Sequence, residues 1–403
     1  MSLKVLLIAY KYPPYAGVGA YRWAKLTKYF AKSGVQVHVV TVDWRHTSPN
    51  TLCEDVKSEN IIVHRIPCVY PHNFSTKNLN SRVLSIARNL YLRALNEFVF
   101  WDDEAQHWGR DLIPFCQTLI QEKNIETVIS TGHPFQSIRH ASELKRRNPG
   151  LRFIADFRDP WFQDREGSLT HDRLIRVRSW VEQVMLRADL NVFVTKGLIS
   201  QYLDLVDPSI RDSVRVAHIP NGVDLERRRV TQEHEGFEYD FIHAGNVTNG
   251  REEPLRRFLL SLQKIKPDSS VLLIGKVPKN IIASFGSIRN LKVSESVSQA
   301  EVFELITKSR YALHLNARHV PYLLSTKIYE YPSLGRPTVS VNYGGEIDDL
   351  IQKYSLGYSL CPDSASFDAE LADIINSIPS NVALPPSFSY ENVARMYLNH
   401  IRE

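Results

Sequence analysis

Short apolar runs recur along this chain with helix-like stretches between them, and that alternation constrains the fold more than any other feature. Residues 5–9 are apolar at every position, the pattern of a strand covered on both faces. Strands of that kind belong to mostly parallel sheets wrapped by helices. In the first half the spacing predicts strands at 4–10, 35–42, 61–66, 127–130, 152–155, 190–194 and 214–219, and helices at 139–147 and 174–187. The second half repeats the plan with strands at 239–243, 270–274, 291–293, 312–315 and 338–341, and ends in a helix at 390–401. Residues 221–238 are polar, charged and poor in aliphatics, so they read as a linker. The expected architecture is α/β, with two doubly wound domains facing a central cleft and ligands at the carboxyl ends of the strands. The domains are expected at 1–220 and 239–387, with residues 388–403 forming a helix that packs back on the first.

A length of 403 residues also fits two domains better than one core. No apolar run approaches the roughly 18–20 residues that span a bilayer. The first run stops at Tyr10 with no small-residue cleavage site after it, so no signal peptide is expected. Cys53, Cys68, Cys116 and Cys361 are scattered without metal-ligand spacing and read as free thiols of a reducing cytoplasm. Residues 1–220 hold 29 Lys and Arg against 22 Asp and Glu, while the remainder is slightly acidic. The first half is therefore expected to meet something anionic, such as a sugar phosphate or a membrane surface. Nucleic acid is not the expected partner, because no basic run is interleaved with aromatics. A helical insertion at 75–120 carries Leu84, Leu90, Leu95 and Phe98 among Lys77, Arg82, Arg88 and Arg93. It reads as a core-packing helix pair with a solvated basic face, or as a surface that leans on anionic lipid. Its string Trp101–Asp102–Asp103–Glu104 reads as a helix start, with acids near the positive dipole end.

Three stretches carry candidate chemistry. After the first strand, Pro13 and Pro14 precede Gly17 and Gly19 at the start of a helix, an arrangement that suits an anion. The run 325–337, STKIYEYPSLGRP, offers Ser325 or Thr326 as a helix cap with free N–H groups beyond it. Lys327 stands in that first turn, where a cation is unfavourable unless an anion sits there too. Glu330 lies one turn on, on the same face, where a carboxylate can accept from both hydroxyls of a ribose. A capped helix with a simple Lys–Glu pair is the plain alternative. In the run 153–164, FIADFRDPWFQD, a strand leads into Asp156, Arg158 and Asp159, and charges just beyond a buried strand must pair or function. His133 ends another strand and is either a structural hydrogen-bonder or a cleft residue.

These strings together resemble family 4 glycosyltransferases, whose architecture is the two-domain, Rossmann-like GT-B fold. The run 325–337 looks like their nucleotide-sugar helix, YPPYAGVGAYR like their first glycine loop, and IPNGVD at 219–224 like the string that closes their first domain. FIHAGNVTNGR is similar to the opening of their second domain, and VSQAEVFELITKSRYALHLNA to the segment before the ribose helix. The resemblance implies that Gly17, Gly19, Asn246, Arg251, Ser325, Thr326 and Lys327 hold the donor diphosphate and Glu330 the ribose. Val277 and Val297 are the candidate contacts of the base. Asp156 or Asp159 is expected to orient the acceptor hydroxyl, with Arg158 touching sugar or phosphate and His133 nearby. Two positions depart from the family pattern: Tyr322 stands where a first glutamate is usual, and Asn246 where an arginine is usual. The implied activity is transfer, with retention, of a sugar from a nucleotide diphosphate sugar to a hydroxyl of a glycan or lipid-linked acceptor in polysaccharide biosynthesis. No metal and no cofactor is expected, and the protein is expected in the cytoplasm, peripheral to the inner face of the membrane. The alternatives are a nucleotide-sugar epimerase of the same architecture and a catalytically silent nucleotide-sugar binder.

Overall fold

The computed structural model describes residues 3–44, 50–70, 102–162, 171–227, 236–285, 290–295, 297–379 and 381–403, with single positions at 86, 87, 90, 91 and 94. The chain forms two compact units, Met1–Pro220 with Val393–Glu403, and Asn221–Asn392. Among the described residues no helix is long and apolar enough to cross a membrane.

The first unit is built on a seven-stranded parallel sheet. Its strands are β1 (Lys4–Ile8), β2 (Gln36–Val42), β3 (Ile61–Ile66), β4 (Thr127–Thr131), β5 (Arg152–Phe157), β6 (Leu190–Phe193) and β7 (Val216–His218). Their order across the sheet is β3-β2-β1-β4-β5-β6-β7. β1 pairs with β2 on one side and β4 on the other, with Leu6 opposite His38 and Val128. The direction of winding reverses there, which leaves a crevice at the carboxyl ends of β1 and β4. The helix Val18–Lys32 follows β1 and buries Trp23, Leu26 and Phe30 on one face. Tyr397, from the end of the chain, packs edge-on against Trp23 and Phe30, at 5.4 and 6.2 Å between ring centroids. Arg152 at the start of β5 donates to the carbonyl of His400 (2.7 Å).

The second unit repeats the plan with β8 (Tyr239–Ala244), β9 (Ser270–Ile274), β10 (Asn290–Ser294), β11 (Ser309–Leu315), β12 (Thr338–Val341) and β13 (Gly357–Leu360). The sheet order is β10-β9-β8-β11-β12-β13, again all parallel, so its winding reverses between β8 and β11. Alternate residues divide between two cores, as the two-residue period of a strand dictates. Phe241, Val271, Leu273, Tyr311, Leu313 and Val339 face one side, and Ile242, Leu272, Ile274 and Ala312 the other. Val223, in the stretch read as a linker, is buried and bridges to Ser389 of the same unit. Residues 228–235 of that stretch lie outside the described residues.

The structure corrects two expectations and leaves a third largely outside its description. β13 is a strand the periodicity misses, because four residues with a glycine and a serine resemble a loop. The acids at 102–104 do not start a helix of their own; the helix there is Gly109–Lys123. Asp103 instead accepts from the backbone N–H of Gln136 (3.0 Å), at the start of the helix Gln136–Arg147, and Asp102 accepts from the Gln136 amide (2.9 Å). The dipole argument holds, but for a helix distant in sequence. Most of the insertion read at 75–120, including Lys77, Arg82, Leu84, Arg88, Arg93, Leu95 and Phe98, lies outside the described residues.

Candidate functional site

In the second unit the chemistry gathers where β8 and β11 end. The loop after β8 runs through Gly245 and Asn246 to the helix Glu252–Ile265, with Arg251 just before its first turn. Gly245 has φ +151°, and a Cβ there would stand 2.7 Å from Lys327 Cε and 2.9 Å from Nζ. The Lys327 ammonium therefore lies directly on this glycine, where no side chain fits. Lys327 opens the helix Lys327–Ser333, and Glu330 follows one turn later. Burial pushes the Lys327 ammonium below the usual lysine range; Glu330 opposes that shift and Arg251 adds to it. Burial pushes the Glu330 carboxyl up, against Lys327 and a hydrogen bond from Thr326.

Two histidines from the strands underlie this cluster. His243 on β8 bonds to the carbonyl of Leu313 (2.9 Å), and burial, Lys327 and Arg251 hold it down at about 4. His314 on β11 contacts Ser340 Oγ through Nδ1 and Ser325 Oγ through Nε2, both at 3.0 Å. Burial first, then Lys327, His243 and Arg251, hold His314 well below the ordinary histidine range. The floor of the site is thus two neutral imidazoles beneath two cations.

The donor-site expectations fall out unevenly. Lys327, Arg251, Glu330 and Thr326 share one electrostatic neighbourhood, with Ser325 joined to it through His314. Neither Ser325 nor Thr326 caps the helix: Thr326 is itself helical (φ −59°, ψ −23°) and no side chain closes the first turn. The Asn246 side-chain oxygen Oδ1 accepts from the backbone N–H of Lys276 (3.0 Å), tying the loops after β8 and β9 together. Gly275 permits that approach, since a Cβ there would lie 2.9 Å from the Gly245 carbonyl. Val277 and Val297 do not meet: they pack against the hydrophobic clusters on opposite faces of the sheet.

In the first unit a second cluster stands at the ends of β1 and β4. Lys11, just past β1, donates to His133 Nδ1 (3.2 Å) and pairs with Glu104 (3.0 Å). His133 is 3.8 Å from the same carboxylate, with 44 % of its side chain exposed. Burial alone would raise Glu104, but His133 and Lys11 outweigh it and hold the carboxyl at about 2. Gly17 and Gly19 lie alongside. Gly17 precedes the helix Val18–Lys32, and a Cβ on Gly19 would stand 2.9 Å from Lys11 Cδ. Arg158 donates through Nε to the carbonyl of Gly132 (2.8 Å) and through Nη1 to that of Gly19 (2.9 Å). It therefore braces the two loops that carry His133 and Gly19. Asp159 accepts at its carbonyl from the Tyr202 hydroxyl (3.0 Å) and is partly exposed.

Asp156 departs most from its expectation. It has no exposed surface, and it accepts from Trp23 Nε1 (2.8 Å), Thr131 Oγ1 (2.7 Å) and the Tyr397 hydroxyl (2.5 Å). Arg22 stands 3.6 Å from its other oxygen contact and donates to the carbonyls of Ile219 and Pro220. A carboxylate with both oxygens so engaged anchors the interior and has no face to offer an acceptor hydroxyl. Lys11, Glu104, His243 and His314 were not expected in any site. For the two strand histidines a signal existed: each is a polar residue within an apolar strand, where burial demands a partner or a purpose.

No family model matches the chain, and no curated protein matches it. Its fold does match solved structures over essentially the whole length. The N-terminal domain of the Candida albicans trehalose-6-phosphate phosphatase aligns at TM-score 0.64 and 12% identity, covering 100% of this chain and 97% of that one. A lipopolysaccharide outer core galactosyltransferase, WaaB, aligns at 0.58 and 11% identity over 99% of both. The UDP-GlcNAc 2-epimerase of Neisseria meningitidis, solved with UDP-GlcNAc, aligns at 0.53 and 12% identity over 100% of both. The fold is therefore that of the GT-B glycosyltransferases and related enzymes, two Rossmann-like parallel-sheet domains; identities this low speak to the fold alone.

Proposed function

We propose that this chain is a glycosyltransferase that takes a sugar from a nucleotide diphosphate sugar and places it, with retention, on a hydroxyl of a glycan or lipid-linked acceptor. One observation carries the reading: Lys327 and Arg251 converge at the β8/β11 switch point, where Arg251 disfavours the Lys327 charge, beside a half-buried Glu330. Two cations close enough to repel, one of them lying on a glycine with no side chain, suit a bound anion. In this reading the diphosphate lies against Lys327 and Arg251, and Glu330 accepts from the ribose hydroxyls. As the anomeric bond breaks, the pair stabilises charge that grows on the departing phosphate. That phosphate then takes the acceptor proton, so retention needs no protein nucleophile. His133 and the amides at Gly17 and Gly19 are assigned to the reaction as the first unit's contribution, with Lys11 and Glu104 fixing the His133 ring. Arg158 acts by bracing those loops, and Asp159 remains the candidate for the acceptor hydroxyl.

Ile86, Leu90 and Tyr91, large side chains 50–62 % exposed within the insertion, support a lipid-linked acceptor or a peripheral membrane contact and a place in polysaccharide synthesis. The epimerase reading keeps one argument: His133, set by Lys11 and Glu104, is also an acid–base group.

The test is incubation of the purified chain with a panel of nucleotide sugars, followed by phosphorus and proton NMR. Slow release of free nucleoside diphosphate is the expected result, and an isomerised sugar would install the epimerase instead. Glu330→Ala is expected to weaken nucleoside diphosphate binding by about 1–3 kcal/mol through lost ribose hydrogen bonds. Unchanged affinity in calorimetry removes Glu330 from the site.

A further inference from the structure

Resting on that reading of the second unit's site, we propose that Ser325 is held as an obligate hydrogen-bond donor toward the bound phosphate. It is held by a polarised row of side chains crossing the sheet, in which His314, Ser340 and Asn342 are positioning residues.

The row follows the register of three strands. His314 on β11 lies opposite Ser340 on β12, and Ser340 opposite Ser359 on β13. His314, Ser340 and Asn342 are essentially without exposed surface. Buried hydroxyls, amides and imidazoles must place each hydrogen on an acceptor, and that requirement decides the direction of every bond.

The direction is set by a group with no choice. The backbone N–H of Gly344 donates to Asn342 Oδ1 (2.7 Å), so the other end of that amide is its NH2. Asn342 Nδ2 therefore donates to Ser340 Oγ (3.0 Å) and to Ser359 Oγ (2.7 Å). Ser359 passes its own hydrogen to the Asp348 carboxylate. Ser340, already an acceptor, has its hydrogen left for His314 Nδ1 at 3.0 Å. Were Nδ1 protonated instead, two donors would face Ser340 and its own hydrogen would be buried with no acceptor in the row. His314 is thus the neutral tautomer with its hydrogen on Nε2, and that hydrogen goes to Ser325 Oγ at 3.0 Å. The depressed basicity of His314, from burial and from Lys327, His243 and Arg251, agrees with a neutral ring.

Ser325 accepts from the ring, so its own hydroxyl hydrogen has only the outside of the row to point to. An anion requires a donor of that kind and would be repelled by a lone pair. A serine next to Lys327 on a free rotor offers either face, whereas this one offers only its hydrogen. The row adds no charge; it removes the wrong orientation of the hydroxyl.

Long-range proton–nitrogen NMR of the intact chain, with His314 assigned by its disappearance in His314→Gln, reads the tautomer directly and needs no ligand. The expected signature is a neutral ring protonated at Nε2; a ring protonated at Nδ1 or at both nitrogens overturns the proposal. Calorimetry with uridine, adenosine, guanosine and thymidine diphosphates supplies the second readout. Ser325→Ala is expected to weaken the preferred diphosphate about fivefold, the worth of one hydrogen bond. Ser340→Ala, which removes nothing that touches the ligand, is expected to cost a similar factor, to mix the two tautomers, and to add nothing in combination with Ser325→Ala. Ser340→Thr, which restores the hydroxyl on a strand-compatible side chain, should recover both signals and guards against a folding defect. Additive losses, or an unchanged tautomer and affinity in Ser340→Ala, refute the row. If wild type binds none of the diphosphates, the functional reading falls while the tautomer still judges the row.

Discussion

Replacing Asp156 by asparagine separates a carboxylate that holds the first unit together from one that works on a substrate. The side chain keeps its shape but not its capacity to accept. In the native protein one oxygen takes hydrogen bonds from Trp23 and Thr131, and the other takes one from Tyr397 with Arg22 3.6 Å away. Asparagine has a single oxygen. If it serves Trp23 and Thr131, its NH2 faces the Tyr397 hydroxyl and the Arg22 guanidinium, both donors. A hydrogen bond to a charged acceptor is lost, at about 1.5–3 kcal/mol. A buried guanidinium also loses its carboxylate, which brings the total to about 3–5 kcal/mol. Domains of this size shift by about 2–4 °C per kcal/mol, so the first unit is expected to melt roughly 10 °C lower. Tryptophan fluorescence during heating reports this, because Trp23 is in the network. A melting point within about 2 °C of wild type, with turnover lost, would refute the reasoning and return Asp156 to the acceptor site.

Other consequences are checked in the same way. His243 is held at about 4, below the ordinary histidine value, so the unfolded chain takes up the proton first. The stability this neutral ring supports is intact above about pH 6.5 and declines by about 3 kcal/mol as the pH falls to about 4. Urea midpoints of the second unit across that range should show the decline, and His243→Asn should remove its share and leave that of His314. Glu104 is held at about 2, so its contribution is whole above about pH 4.5 and is lost as the pH falls toward 2. Glu104→Gln should therefore cost about 1–3 kcal/mol at pH 7 and nothing near pH 2 in the same assay. Gly245→Ala forces a methyl group onto Lys327 at a backbone angle that favours glycine. About 1–3 kcal/mol of stability and most of the diphosphate affinity should go with it, read by melting and calorimetry.

What the sequence made legible is what depends on near neighbours along the chain. The alternation of apolar runs and helices was enough to foresee two parallel sheets, because each strand and helix announces its own period. Lys327 and Glu330 were recognisable because helical spacing puts them on one face. Asp156 was misread because its partners come from positions 23, 131 and 397, and only the folded sheet brings them to one point. The acids at 102–104 were misplaced for the same reason, since Asp103 accepts from the first backbone N–H of a helix that starts at residue 136. His243 and His314 were visible as polar interruptions of apolar strands. Their significance depends on β8 and β11 being neighbours, which local pattern does not encode.

The charges of the second unit's site are held against burial and repulsion, and that has a direction. Lys327 is disfavoured by burial and by Arg251, and Glu330 by burial, although each partly relieves the other. An anion that neutralises the cations removes the repulsion between Lys327 and Arg251 and lessens the pressure holding His243 and His314 neutral. Binding of a diphosphate should then stabilise this unit and draw in protons, since Lys327, held below the usual lysine range, becomes easier to protonate, while burial, the larger cause, keeps His314 neutral. Calorimetry in two buffers of different ionisation enthalpy, at about pH 8 where the terminal phosphate of the ligand is already ionised, measures that uptake. Proton release on binding would mean that the anion does not sit beside Lys327 and Arg251.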